Sequence, residues 1–113
     1  MIEIVSDEEL YGHSRFLELV VEEVALHSAK NRDYARVGNP LGNFYRVSEM
    51  LCLSGLHITP AQVAAIYMMK QMDAALQMLF SQYEGEVEGL AGRLKDVSVY
   101  AKLIQILEEE QHE

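Results

Sequence analysis

The sequence predicts an all-α protein of four helices, with the third helix at the centre. Apolar residues recur at spacings of three and four in four segments, and turns containing glycine, proline or asparagine separate these segments. No stretch shows the period-two alternation of a strand. With 113 residues, half of them hydrophobic, the chain is expected to fold as a single domain over residues 1–113.

The first helix is predicted to run from a capping box at Ser6 and Glu9 to about Asn31. Its apolar residues occupy one broad arc and a smaller second edge, so it needs cover on two sides. This pattern predicts a dimer or a four-helix arrangement. The broad arc holds Leu10, His13, Phe16, Leu17, Val20, Val21, Val24 and His27, and the second edge holds Leu19 and Leu26.

Residues 31–43 are predicted to form a loop, because they contain two glycines, a proline and three asparagines. A second helix is expected from residues 41–43 to Gly55. The single cysteine, Cys52, excludes an intramolecular disulfide and a multi-cysteine zinc site. Because Cys52 lies in an apolar run, we expect a buried thiol, and we expect His57 to be a linker residue.

Residues 59–82 are predicted to form the central helix. Thr59 is a suitable N-cap, Pro60 suits the first helical position and Gln62 completes a capping box. The segment is apolar all round except for Lys70 and Asp73, which lie three residues apart on one surface. These two residues have two possible interpretations: a structural ion pair in a helical core, or the wall of a polar cavity that binds a ligand.

The last helix is predicted from a stripe at spacings of three and four, although Gly89 and Gly92 weaken its beginning, so that its firm part starts near Arg93. The stripe consists of Val87, Leu90, Leu94, Val97, Ala101, Ile104 and Leu107.

The charge of the chain limits its partners. Eighteen acidic and nine basic residues give a formal net charge of −9, which disfavours nucleic acid and anionic membranes. No uncharged apolar stretch is long enough to span a membrane, and the N-terminus lacks a signal-peptide pattern, so the expected compartment is the cytoplasm. P-loop, Rossmann, zinc and nucleophile-elbow motifs are absent from the sequence.

Carboxylates are the remaining candidates for chemistry. Glu18 and Glu22 lie on one side of the first helix at i and i+4, a spacing that suits one hard cation such as Mg²⁺ or Mn²⁺. Asp33, Asp73 and Asp96 are further acidic candidates. The alternative interpretation is that Glu18 and Glu22 belong to an ordinary solvated helix face.

Several short motifs, in order and spacing, resemble one family over roughly residues 15–107. They are Lys30-x-x-Asp33-Tyr34, Pro40-Leu41-Gly42-Asn43-Phe44, Ile58-Thr59-Pro60-x-x-Val63 leading into Met68-Met69-Lys70, and Asp96-Val97-x-x-Tyr100-Ala101-x-Leu103. Together they look like the small phage-borne relatives of the MazG-type all-alpha nucleotide pyrophosphohydrolases.

The resemblance implies a helical dimer or dimer of dimers that uses Mg²⁺ to split nucleoside triphosphates into monophosphate and pyrophosphate. It implies that the pocket residues are Lys30, Asp33, Tyr34, Asn43, Lys70, Asp96 and Tyr100. Lys70 would contact phosphate, Asn43 sugar or base, and Tyr34 would offer a stacking surface. The metal candidates are Glu18, Glu22 and Asp96.

The sequence departs from the family's metal motifs, E-E-x-x-E and E-x-x-D, at two positions. Leu26 stands where the third glutamate of the first motif is expected, and Arg93 precedes Asp96 in place of glutamate. Asp73 stands where the small relatives commonly carry a basic residue. Three functions are therefore open: a nucleotide pyrophosphohydrolase, a protein that binds or sequesters a nucleotide without cleaving it, and an acidic protein-interaction module.

Overall fold

The structure is a computed structural model that describes residues 11–34, 38–83 and 85–112, apart from the side chains of Asp33 and Tyr34. Within these ranges the chain forms four helices and no strand, which confirms the predicted all-α class. The helices are α1 (Ser14–Tyr34), α2 (Gly42–Leu53), α3 (Pro60–Ser81) and α4 (Leu90–Gln111).

The packing is uneven. α3 and α4 make by far the most extensive helix contact, α2 packs on α3, and α1 touches α4 lightly. α3 is thus central in that it contacts both α2 and α4. One apolar core joins α2, α3 and α4, and consists of Leu41, Phe44, Ala61, Val63, Ala64, Leu103 and Leu107.

The beginning of α3 follows the sequence prediction. The backbone N–H of Gln62 donates to Thr59 Oγ1 at 3.1 Å, and the backbone N–H of Thr59 donates to Gln62 Oε1 at 2.9 Å. These reciprocal bonds form a capping box, and Pro60 occupies the first helical position. The helix ends at Gln82, whose φ of 54° is left-handed.

α1 begins later and ends later than predicted. Residues 11–13 are not helical, while the predicted cap at Ser6 lies outside the described residues. Gly12 disfavours helix at this point, and the backbone N–H of Arg15 donates to His13 Nδ1 at 3.0 Å beside the first turn. α1 then continues to Tyr34, so the first four residues of the predicted loop are helical.

α4 corrects the prediction in two ways. It begins at Leu90 rather than near Arg93, with Gly89 as its N-cap. Its buried residues are Asp96, Leu103 and Leu107, whereas Ala101 of the predicted stripe is exposed. The predicted stripe includes Leu107 of this face but not Asp96 or Leu103, because a charged side chain interrupts the apolar pattern there.

Cys52 is exposed, so the prediction of a buried thiol is wrong. Its Sγ lies 3.4 Å from Nδ1 of His57, which is exposed in the link between α2 and α3. The neighbouring Met50 and Leu53 are also exposed, by 59% and 90%. Met50, Cys52 and Leu53 therefore lie at the surface, whereas Leu51 of the same run packs against the core, a division that the apolar run in the sequence does not reveal.

Lys70 and Asp73 lie on the surface of α3. Both side chains are exposed, and no ion pair joins them in the described structure, so the first of the two interpretations, an ion pair in a helical core, does not hold for the single chain. None of the four helices in the described ranges is long and apolar enough to cross a membrane.

Candidate functional site

All four helices contribute to a cavity of about 150 Å³. α1 approaches from one side, the start of α2 from another, and α3 and α4 provide the remaining walls. A cavity of this volume accommodates a single six-membered ring such as benzene. The lining residues are Leu26, His27, Lys30, Asn31, Pro40, Leu41, Asn43, Phe44, Tyr67, Asp96, Val99, Tyr100 and Leu103.

Three aromatic rings from three different helices pack together beside the cavity. The ring centroids of Phe44 and Tyr67 are 5.9 Å apart, those of Tyr67 and Tyr100 are 6.2 Å apart, and those of Phe44 and Tyr100 are 6.4 Å apart. The two contacts of Tyr100 are edge-to-face, an arrangement that aromatic quadrupoles favour. The cluster gives the cavity a firm aromatic wall.

A buried carboxylate lines the same cavity as the aromatic rings. Asp96 on α4 is 7% exposed, and its two oxygens have different partners. Lys30 Nζ lies 3.1 Å from Oδ1, and Gln71 Nε2 donates to Oδ2 at 3.1 Å. Because a buried carboxylate is costly unless paired, these two donors explain how Asp96 is accommodated inside.

Gln71 is itself held in place. Arg93 donates from its guanidinium to Gln71 Oε1 at 2.7 Å, and the same guanidinium nitrogen lies 3.2 Å from Glu88 Oε2. This fixes the orientation of the Gln71 amide, because its oxygen accepts from Arg93 while its nitrogen donates to Asp96. A chain of polar contacts therefore runs from the turn before α4 to the cavity.

The α1 side of the cavity is polar. Asn31 Nδ2 donates to the backbone oxygen of His27 at 3.0 Å and lies 2.9 Å from His27 Nδ1. Lys30, whose side chain is 49% exposed, reaches from α1 toward Asp96 and toward solvent. The cavity thus combines an aromatic interior with a polar α1 side, where Lys30 is paired with Asp96 and partly open to water.

A second polar cluster, which is separate from the cavity, connects α1 to α4. Lys95 Nζ lies 3.0 Å from Glu22 Oε1, and Lys102 Nζ lies 2.7 Å from Glu23 Oε2. Arg15 Nη1 donates to Glu22 Oε2 at 2.7 Å and to Glu18 Oε2 at 3.0 Å. Apart from Glu18, these residues line a groove of about 650 Å³, and apolar residues of both helices line it as well.

The pKa shifts in this cluster follow from its cations. Hydrogen bonds from Lys95 and then Arg15 hold the pKa of the Glu22 carboxyl below its ordinary value. Burial raises the pKa of the Glu23 carboxyl, but bonds from Lys102 and Ser98 outweigh this, so its net pKa is also lowered. The hydrogen bonds that Arg15 donates to Glu18 and to Glu22 raise the pKa of its guanidinium.

The structure brings together four of the residues singled out in the sequence: Lys30, Asn43, Asp96 and Tyr100 all line the cavity. Lys70 does not line it and lies exposed on α3. Asp33 and Tyr34 are in the last turn of α1, and their side chains lie outside the described part.

The three metal candidates are divided between two places. Asp96 lines the cavity, whereas Glu22 borders the groove between α1 and α4, and Glu18 is bonded to Arg15 at the surface. Within residues 11–34, 38–83 and 85–112, no group of three or more His, Cys, Asp or Glu side chains is placed to hold a metal ion.

Sequence reasoning missed several residues of the cavity. His27 and Asn31 belong to it together with Lys30, and their spacing of three and four on α1 was an available signal. Tyr67 and Phe44 had no such signal, because they meet Tyr100 only when three helices pack. Gln71 was equally hidden, since its role depends on Asp96 and Arg93 of another helix.

A comparison of the chain with protein-family models, with curated proteins and with solved structures finds no match. The resemblance to the MazG-type family therefore rests on the residues and motifs of the chain itself.

Proposed function

We propose that this protein binds a nucleotide in the cavity between its four helices. One observation carries the proposal: Lys30, Asn43 and Tyr100, which are far apart in the sequence, line one ring-sized cavity in which the Lys30 ammonium is half exposed. A nucleotide combines the same features, because it joins a planar base to an anionic phosphate group.

The proposed pose follows from the chemistry of the walls. The base occupies the aromatic interior beside Tyr67 and Tyr100, where ring contacts are favourable. The amide of Asn43 offers a donor and an acceptor to base or sugar. Lys30, half exposed at the cavity, has three donor hydrogens, so it can keep its bond to Asp96 and also donate to phosphate oxygens outside.

Magnesium-assisted hydrolysis to monophosphate and pyrophosphate is the second candidate. Asp96 favours it, because a carboxylate lines the same cavity as the proposed phosphate contact. Both oxygens of Glu22 and both oxygens of Asp96 already accept bonds from protein cations or amides. A metal ion at either carboxylate would have to replace those partners, so we propose binding as the primary function.

The test is calorimetric titration with linear and cyclic nucleotides, with and without Mg²⁺, followed by chromatography of each mixture. Binding with the nucleotide recovered unchanged would support the primary proposal. Binding with release of pyrophosphate would establish the second candidate. No binding by any nucleotide would overturn both.

Lys30→Met and Lys70→Met form a matched pair for locating the site. A hydrogen bond to a charged group contributes about 1.5–3 kcal/mol, so losing the Lys30 contact should weaken binding by about tenfold or more. Lys70→Met removes the same charge from an exposed position outside the cavity and should change affinity less than about twofold. If Lys70→Met abolished binding and Lys30→Met did not, the cavity would not be the site.

A further inference from the structure

The hydrogen bonds of Asp96 determine what this side chain can offer to a molecule in the cavity. Asp96 lines the cavity, and its side chain is 9% exposed. Lys30 Nζ lies 3.1 Å from its Oδ1 in an ion pair. An ammonium group has donor hydrogens and no acceptor, so Oδ1 accepts at this contact.

The contact at the other oxygen has an equally definite direction. Arg93, which has donors only, lies 2.7 Å from Gln71 Oε1. The oxygen of the Gln71 amide is therefore turned toward Arg93 and its nitrogen toward Asp96, where Nε2 donates to Oδ2 at 3.1 Å. Cations without an acceptor thus stand at both ends of the chain of contacts, and both oxygens of Asp96 accept.

The carboxylate keeps further acceptor capacity for a ligand. A carboxylate has about four lone-pair sites on its two oxygens, and the contacts with Lys30 and Gln71 use two of them. A ligand that places an N–H group beside Asp96 gains a hydrogen bond to a charged acceptor. A ligand that places a carbonyl oxygen there leaves two acceptors facing each other inside the protein, which is costly.

The size of the cavity adds a second criterion. Its volume of about 150 Å³ accommodates one six-membered ring, whereas the two fused rings of a purine are larger. The pyrimidine bases of nucleotides differ in the group at ring position four. Cytosine carries an amino group there, with N–H donors, whereas uracil and thymine carry a carbonyl oxygen. An aspartate that accepts from the amino group of cytosine is a standard pairing in base recognition.

We propose that the cavity selects nucleotides whose base is a single six-membered ring with an amino group, as in cytosine, and that Asp96 accepts from this amino group. The inference rests on the nucleotide-binding function proposed above and adds the class of base. The amide of Asn43, which lines the same cavity, has donors for the ring nitrogen and carbonyl oxygen of cytosine, both of which are acceptors. Gln71 acts as a positioning residue, because it reaches the ligand only through Asp96.

The experiment is calorimetric titration of the full chain with CTP, UTP and ATP, with and without Mg²⁺. A fourth ligand is the triphosphate of the pyrimidin-2-one ribonucleoside, which differs from CTP only in lacking the amino group. We expect CTP to bind about tenfold or more tightly than each of the other three. The comparison of CTP with the pyrimidin-2-one ligand needs no change in the protein, so it does not depend on the folding of a variant.

Asp96→Asn and Asp73→Asn form a matched pair of variants. Asp96→Asn replaces one acceptor oxygen by an amide nitrogen, so the dissociation constants of CTP and the pyrimidin-2-one ligand should become equal within about twofold. Asp73→Asn makes the same change at an exposed residue of α3 outside the cavity and should keep the preference for CTP. Circular dichroism checks that both variants stay helical.

The possible results separate this inference from the proposal on which it rests. Equal affinity of the unmodified protein for CTP, UTP and the pyrimidin-2-one ligand would overturn the selection of an amino group, and nucleotide binding would stand. Tightest binding of ATP would overturn the criterion of ring size in the same way. A preference for CTP that a helical Asp96→Asn variant retains would overturn the role of Asp96. No binding by any of the four ligands would overturn both proposals.

Discussion

α3 and α1 both contact α4, but they are held there by different forces. α3 buries small and apolar side chains, among them Val63, Ala64 and Ala75, at 1%, 0% and 0% exposure. α1 is connected mainly through ion pairs, such as Glu22 with Lys95 and Glu23 with Lys102. Its own apolar residues stay partly uncovered, and Phe16 is 70% exposed.

This difference shows that helical periodicity alone does not indicate which helix is packed. The apolar residues of α1 recur as regularly as those of α3, yet α1 contacts the remaining helices lightly. Close packing provides dispersion and hydrophobic stabilisation that exposed ion pairs do not match. We therefore expect the α3–α4 pair to determine stability and α1 to respond to pH.

The largest expected effect tests the packed side of the comparison. Leu107→Ala removes a side chain that is 1% exposed in the core shared by α2, α3 and α4. It should lower the free energy of unfolding by about 3 kcal/mol, measured by urea denaturation at fixed protein concentration. Ile106→Ala, at a neighbouring residue 42% exposed, is the control and should cost about 1 kcal/mol or less.

Equal losses in the two variants would mean that α4 does not present this face to the core. The comparison between a packed α3–α4 pair and a loosely held α1 would then lose its basis.

A smaller effect tests the polar contact inside the packed pair. Gln71→Leu removes the donor to buried Asp96 and the acceptor for Arg93, so we expect a loss of about 2 kcal/mol in the same measurement. Gln77→Leu makes the same change at an exposed position of α3 and should stay within about 0.5 kcal/mol. A neutral result for Gln71→Leu would show that Asp96 does not depend on this amide.

The smallest effect concerns the attachment of α1. The pKa values of Glu22 and Glu23 are lowered in the folded protein from an ordinary value of 4.5. Groups with lowered pKa stabilise the fold above that ordinary value, and the contribution is lost as the pH falls through the folded-state pKa. Hydrogen-exchange protection of α1 amides should therefore fall relative to that of α3 when the solution is acidified below about pH 4.5.

The double variant Glu22→Gln with Glu23→Gln is the control for this pH dependence. It cannot lose these two charges on acidification, so the protection of its α1 relative to α3 should change less. An equal change in the variant and in the unmodified protein would assign the pH response to other carboxyl groups.

Helix boundaries were predicted well where they depend on residues that are close together in the sequence. Thr59, Pro60 and Gln62 predicted the start of α3 because a capping box is completed within four residues. The turn at Gly55 likewise predicted the end of α2, since a φ of +87° is one that glycine adopts easily. The predicted helix included residues 11–13, which are not helical, because the apolar pattern continues through Gly12.

The candidate site was predictable only in part. Lys30, Asn43, Asp96 and Tyr100 were singled out in the sequence and line one cavity. Their partners Gln71 and Tyr67 were not, because each acquires its role from a residue on another helix. Lys70 shows the opposite case, since a charge within an apolar segment suggested an inward position and the residue is exposed.

The sequence by itself determined the helical class, the four helices of the described residues and the beginning of α3, because these depend on residues within a few positions of one another. The tertiary structure decided which face of α4 is buried, that Asp96 is inside and that Cys52 is outside. The physical reason is that burial depends on partners distant in the chain. Asp96 can be buried because Lys30 and Gln71 satisfy its charge, and neither partner is a neighbour in the sequence.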